Sequence, residues 1–257
     1  MKLAWKAAGG TDVGRMRRGN EDTCVVDCER GLFLVADGMG GHAAGEIASA
    51  LAAEAVGGAL REGIDRGLQA DELAQVMVES FGAADRAIAE HVAAHPATHG
   101  MGTTATACVL CTDGTYRIGH VGDSRAYLLR GDALAQVTRD HTWVQREVDE
   151  GRLTPAGARR HRLSHILTRA LGTGPFGVPP DLLGGELRPG DLLMLCSDGL
   201  TGMLSDRQLG RILSIPSTPE EHVDRLIRAA NARGGRDNIT AVVVEILPSV
   251  DDAPQDG

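Results

Sequence analysis

Residues 103–130 read TTATACVLCTDGTYRIGHVGDSRAYLLR. Two turn dipeptides, Asp113-Gly114 and Gly122-Asp123, divide this stretch into three segments of strand length, rich in Thr, Val, Ile, Tyr and Leu. Neighbouring strands joined by about two residues pair antiparallel, because a parallel neighbour needs a crossover of about a dozen residues or more. The pattern predicts successive hairpins over 103–111, 115–121 and 125–130, and it excludes a doubly wound parallel sheet.

Towards the N-terminus, 23–28 and 31–36 are short and β-branched enough to be strands, whereas 43–60 is alanine-rich and reads as a helix. A second helix is predicted over 71–94, with Asp71 as its N-cap and His95-Pro96 as its stop. Residues 140–189 differ in character: short helical pieces at 142–150 and 154–161, then a Gly/Pro-rich run from Gly172 to Gly185, predict an irregular flap. Gly172-Thr-Gly174-Pro-Phe-Gly177 spells G-x-G-x-x-G, but no strand precedes it and Pro175 interrupts it, so it is not a dinucleotide loop. A strand at 191–196, helices at 206–213 and 219–233 and a closing strand at 239–247 follow. One domain over 1–247 is expected, with 248–257 as an acidic, disordered tail.

The chain has 257 residues, 42% hydrophobic and 24% charged, which suits a folded globular domain rather than a disordered one. Its net charge of -9 argues against charge-driven attraction to nucleic acid. No apolar run approaches the ~20 residues of a membrane span. Residues 1–10 carry no apolar leader, so a cytoplasmic protein is expected. The five cysteines are read as reduced thiols. Cys24/Cys28 and Cys108/Cys111 lack glycine knuckles and read as small apolar strand residues rather than zinc ligands.

Two apolar strands run into the same dipeptide: 32–36 into Asp37-Gly38, and 192–196 through Ser197 into Asp198-Gly199. Asp237 precedes the closing strand, Asp123 sits in a turn, and Glu21-Asp22 precedes the strand at 23–28. Any one of these is ordinary turn chemistry. Together at strand ends they describe a multi-carboxylate site for a hard divalent cation, Mg²⁺, Mn²⁺ or Ca²⁺ rather than zinc. Glycine after Asp37 leaves the Gly38 carbonyl open to an ion or its waters. Two such ions roughly 3.5–4 Å apart can bridge and deprotonate one water and hold both ends of an in-line phosphoryl displacement. Arg17, four residues before Glu21, is the candidate phosphate clamp. On an extended segment Arg15 would share its face and Arg18 would point away.

These residues resemble a known family. Gly14-x2-Arg17-x2-Asn20-Glu21-Asp22, Val35-Ala36-Asp37-Gly38-Met39-Gly40-Gly41, Gly102-Thr103-Thr104, Val121-Gly122-Asp123-Ser124-Arg125, Leu195-Cys196-Ser197-Asp198-Gly199-Leu200 and Gly235-Arg236-Asp237-Asn238-Ile239-Thr240 look like the ordered motifs of the bacterial PP2C-type (PPM) metal-dependent protein serine/threonine phosphatases. The resemblance runs from about Thr11 to Glu245. It implies an α+β fold, a central antiparallel β-sandwich flanked by helices on both sides in four αββα layers. It also implies two Mn²⁺ or Mg²⁺ ions at one end of the sandwich and a third, weaker site. By position, Asp37 would bridge both ions with the Gly38 carbonyl on one. Asp198 and Asp237 would bind the first, while Glu21 and Asp22 would reach the centre directly or through waters. Asp123 with Asp198 would make the third site, Arg17 would bind phosphate, and Asn238, beside the last ligand, would support Asp237 without itself touching an ion. The implied function is hydrolysis of phosphoserine and phosphothreonine esters in proteins by direct attack of a metal-bridging water. The substrates would be phosphoproteins of a cognate Ser/Thr kinase, and a monomer is expected. The alternative is a catalytically inactive binding module on the same fold. Met39 stands where eukaryotic members carry a proposed general-acid histidine, so leaving-group protonation stays unassigned; His42, His161 and His165 are read as structural or surface residues. The basic cluster Arg159-Arg160-His161-Arg162 with Arg169 is either a solvated face or a contact for an acidic phosphopeptide.

Overall fold

The computed structural model describes residues 3–40, 43–173 and 178–248. Along the chain run β1 (Ala4–Asp12), β2 (Asp22–Asp27), β3 (Leu32–Met39), α1 (Ala43–Asp65), α2 (Ala70–Ala94), β4 (Gly102–Thr103), β5 (Ala105–Leu110), β6 (Thr115–Val121), β7 (Arg125–Arg130) and β8 (Ala133–Gln136). Then come α3 (Trp143–Asp149), α4 (Pro155–Ala158), β9 (Asp181–Glu186), β10 (Leu192–Cys196), α5 (Asp198–Thr201), α6 (Asp206–Leu213), α7 (Pro219–Ala232) and β11 (Ile239–Leu247).

The strands form two antiparallel sheets, a five-stranded one in the order β1-β11-β10-β7-β8 and a six-stranded one in the order β2-β3-β5-β6-β9 with β4 on β3. Alternation along single strands explains the layering. In β3, Leu32, Leu34 and Ala36 face α1 and α2, while Phe33 and Val35 face the other sheet. In β10, Leu193 and Leu195 point into the sandwich and Met194 and Cys196 point towards α6 and α7. Three apolar layers therefore separate four layers of structure, helix–sheet–sheet–helix. Strands buried on both faces need apolar residues at every position, which is why 32–36 and 192–196 read as unbroken apolar runs.

Several expectations need correcting. The Gly122-Asp123 turn is not a hairpin: β6 and β7 lie in opposite sheets, so the chain crosses the end of the sandwich there. Gly122 holds φ +110°, and a Cβ on it would meet the Thr104 side chain at 2.5 Å, so the chain bends sharply against Thr104 instead of folding back. β1 carries no strand signal because it is rich in Ala and Gly. It pairs with β11 over nine positions, and a Cβ on Gly9 or Gly10 would strike Val26 at 2.6 Å or Val223 at 2.7 Å. Packing on both faces, not propensity, selects these residues. β9 lies inside the stretch expected to be irregular and pairs with β6 at the sheet edge. β8 and α5 carry no signal that periodicity detects. α1 extends to Asp65, and the N-cap of α2 is Gln69, in a reciprocal capping box with Glu72, while Asp71 lies in the first turn. Of the cysteine pairs only Cys108 is buried, and Cys28 is exposed. The tail from residue 249 on, the segment 174–177 and His42 lie outside the described residues. Among the described residues no helix is long and apolar enough to cross a membrane.

Candidate metal and phosphate site

One end of the sandwich gathers the acidic strand ends. β2 and β3 pair so that Asp22 stands directly across from Asp37. In the facing sheet Cys196 pairs with both Arg125 and Ala241, which brings Asp198, Asp123 and Asp237 to the same end. Like charges opposed in this way repel, so the fold must hold them by other means.

Hydroxyl groups do part of this. The Oδ2 of Asp22 accepts from Ser197 Oγ at 2.8 Å and Thr240 Oγ1 at 2.6 Å, while Asp22 Oδ1 is buried with no partner. The Asp37 backbone N–H donates to Thr104 Oγ1 at 3.0 Å, and the Asp37 carbonyl accepts from the Thr103 hydroxyl at 2.9 Å and the Thr104 amide at 2.9 Å. Thr104 also bonds Ser124 Oγ at 2.7 Å, beside Asp123. Gly102-Thr103-Thr104 thus fixes the backbone of Asp37 and ties it to the Asp123 turn.

Protons do the rest. Burial, reinforced by the neighbouring carboxylates, raises Asp37 and Asp123 well above the usual carboxylate range. Burial also pushes Asp22 and Asp198 up to about 6, against the hydrogen bonds from Thr240 and Ser197 in the first case and from the Asp37 carboxyl in the second. Burial and mutual repulsion thus favour the protonated form of these carboxyls, and a bound cation would relieve the same repulsion. Among the described residues no three side chains are drawn into a ready ligating set. The donor set nevertheless fits hard divalent ions: it is all oxygen, it ranges from buried to half-buried, and Asp22 Oδ1 is buried and unpartnered. A Cβ on Gly38 would meet the Gly45 carbonyl oxygen at 2.0 Å and the Glu21 carbonyl at 2.6 Å, so only glycine fits between the start of α1 and Glu21.

Arg17 lies between the turn at 14–16 and the bend at 18–19, not on a strand, so the alternation expected for Arg15 and Arg18 does not apply. Its Nη2 donates to Asp237 Oδ2 at 2.8 Å, its Nη1 lies 3.9 Å from Glu21 Oε2, and it remains 47% exposed, which leaves donors for a further anion. Asn238 clamps this loop. Its Nδ2 donates to the Val13 carbonyl at 3.0 Å and the Gly19 carbonyl at 2.9 Å, and its Oδ1 accepts from the Glu21 amide at 2.9 Å. The Asn238 side chain therefore grips backbone, while its own backbone N–H donates to Asp237 Oδ1 at 2.9 Å.

Beside Asp123 and Asp198 opens a cavity of about 370 Å³, also lined by Arg125, Arg159 and His165. Arg125 is neutralised by Asp140 through contacts of 2.8 and 2.6 Å. The basic cluster does not act as one: Arg169 is spent on Asp181, Arg159 reaches Asp206 at 3.3 Å, and Arg160 and Arg162 are exposed. His161 packs on Trp143 with ring centroids 5.2 Å apart. Ser197, Thr240, Thr103 and Thr104 lie within the family-like motifs, but sequence alone assigns them no role; their signal is position, small hydroxyl residues next to acidic strand ends.

The model of the protein phosphatase 2C family matches residues 17–243. The serine/threonine protein phosphatase PstP of Mycobacterium tuberculosis is 41% identical over 245 residues, 95% of this chain and 46% of that protein. The chain thus spans about half the length of that relative. The serine/threonine phosphatase stp of Listeria innocua is 36% identical over 238 residues, covering 91% of this chain and 93% of that protein. Among solved structures, the catalytic domain of PstP in complex with two manganese ions superposes with a TM-score of 0.85 at 39% identity, covering 96% of this chain and 100% of that one.

Proposed function

This chain belongs to the protein phosphatase 2C family, and from that membership we propose that it is a metal-dependent protein phosphatase hydrolysing phosphoserine and phosphothreonine esters of proteins. The observation that carries the reading is the acidic cluster of buried Asp22 and Asp123 with half-buried Asp37 and Asp198, whose carboxyls desolvation and mutual repulsion all push towards the protonated form unless cations are bound. A relative's structure with two manganese ions supports Mn²⁺ as the cation. Asp37, Asp198 and Asp237 with the Gly38 carbonyl would hold two ions, aided by Glu21 and Asp22, and Asp123 with Asp198 would hold a third. Bound there, the ions would lower the pKa of a water and offset charge on the phosphoryl oxygens.

The chain's own residues then have separate tasks. Arg17 orients the phosphoryl group with the guanidinium donors that Asp237 leaves free. Asn238 keeps the Arg17 loop against the cluster. Thr104 and Ser197 hold Asp37 and Asp22 in place. The cavity beside Asp123 and Asp198 gives the phosphorylated segment of a substrate protein a path past the flap. Phosphoproteins made by a Ser/Thr kinase, in the cytoplasm, are the substrates of this reading. An inactive binding module would tolerate loss of acidic positions, and retention of all of them favours the enzyme.

The test is phosphate release from a phosphothreonine peptide after chelation, with and without added Mn²⁺. Activity absent in chelator and restored by Mn²⁺ is expected. Full activity in EDTA contradicts the metal mechanism, and none with Mn²⁺ supports the binding module.

A further inference from the structure

His141 stands outside every motif that identified the site, yet it wraps the turn that carries Asp123. Its backbone N–H donates to the Gly122 carbonyl at 2.7 Å, and its Nδ1 accepts from the Gly122 amide at 3.0 Å, so one residue satisfies both backbone groups of Gly122. An Nδ1 that accepts leaves the imidazole proton on Nε2, where Asp181 Oδ2 lies at 3.1 Å. Arg169 braces Asp181 at 2.6 Å and also contacts the imidazole and the Pro179 carbonyl. The His141 carbonyl accepts from Thr168 at 2.8 Å, which ties both strands of the flap base to the same residue. His141 is buried, its ring lies 4.8 Å from that of His120, and burial keeps it on the neutral side. On the opposite side of Gly122 lies Thr104, the residue that holds Asp37.

We propose that His141 is a positioning residue that, through Nδ1, holds the Gly122–Asp123 turn so that Asp123 faces Asp198, and thereby joins the flap base to the acidic cluster. The inference rests on the phosphatase reading for its consequence in turnover, and on geometry alone for its consequence in structure. Asp181, on edge strand β9, sets the imidazole's tautomer from the far side by accepting from Nε2, and Arg169 holds Asp181 in place.

Asparagine and glutamine separate the two ring nitrogens. In His141→Asn the amide oxygen takes the place of Nδ1 and can still accept from Gly122; in His141→Gln the amide reaches the Nε2 position and abandons Gly122. Two readouts need no substrate: amide hydrogen exchange at Gly122, and calorimetric Mn²⁺ binding in the step that Asp123→Ala removes. His141→Asn is expected to stay within about threefold of wild type in both. His141→Gln should accelerate Gly122 exchange and weaken that Mn²⁺ step by about tenfold, the scale of one buried hydrogen bond. The other Mn²⁺ steps should be unchanged. Equal behaviour of the two variants, or uniform weakening of every Mn²⁺ step, overturns the inference. If neither variant folds, Asp181→Ala, which removes the acceptor at Nε2, decides: faster Gly122 exchange at an unchanged melting temperature supports the coupling, and wild-type exchange refutes it. Failure of the phosphatase reading is seen separately, as a wild-type chain that binds Mn²⁺ and releases no phosphate.

Discussion

At Arg17 two partners compete for one guanidinium. Asp237 takes Nη2, and under the proposed function a phosphoryl group would use the remaining donors, so the residue would be both latched and available. Loss of a charge-assisted hydrogen bond, about 1.5–3 kcal/mol, predicts that Arg17→Ala lowers kcat/KM roughly tenfold to 150-fold. Arg17→Lys keeps the charge without the fork and should recover only part of this, while exposed Arg18→Ala should stay within about twofold; steady-state kinetics on a phosphopeptide checks all three. Asn238→Asp tests the loop instead. It removes both donors to Val13 and Gly19, so a raised KM and a stability loss of about 1–3 kcal/mol are expected in kinetics and thermal unfolding. An unchanged KM would separate the clamp from substrate capture. The acidic residues were legible in the sequence because Asp-Gly after an apolar strand is a local pattern. The grip of Asn238 was not, since its three partners lie some 220 positions away along the chain.

Among the elements, the crossing between β6 and β7 matters most for the site. A two-residue turn has the same composition whether its strands pair or part, so 103–130 gave the strands correctly and the second pairing wrongly. What decides is Thr104, 18 residues before Gly122 and 20 before Ser124, pressing on the first and bonding the second. Gly122→Ala should therefore cost well over about 1 kcal/mol, from φ +110° and the 2.5 Å approach to Thr104, and should displace Asp123. Thermal unfolding in chelator reads the first effect and Mn²⁺ titration the second. A variant with wild-type stability and Mn²⁺ binding would show that the turn tolerates rearrangement. β1 and β9 escaped sequence reading for a related reason: their glycines are set by neighbours pressing from other elements, and no periodicity records that.

Over the whole molecule, stability and function pull against each other at the acidic end. Asp198 titrates near 6 in the folded chain against about 3.9 unfolded, so the folded state binds more protons between these values. Its contribution is fully favourable below about pH 4 and is lost as pH rises through 6, a change of about 3 kcal/mol. His120, lowered to about 4 by burial, acts in the opposite sense and favours the fold as pH rises towards about 6.5. With four carboxyls raised by burial, partly offset by His120, His141 and His222, which burial lowers, the metal-free chain should lose stability from pH 4 to 7. Asp198→Asn should flatten that slope and raise the melting temperature in chelator at pH 7. Added Mn²⁺ should reverse the order of the two proteins, because ions stabilise only the chain that binds them. A wild-type chain whose melting temperature ignores both pH and Mn²⁺ would contradict the electrostatic account. The most direct measurement is anomalous diffraction at the manganese edge from crystals grown with Mn²⁺. The account predicts two peaks roughly 3.5–4 Å apart, both in contact with Asp37 and one of them with Asp198 and Asp237; ordered manganese elsewhere, with none among these carboxylates, would contradict it.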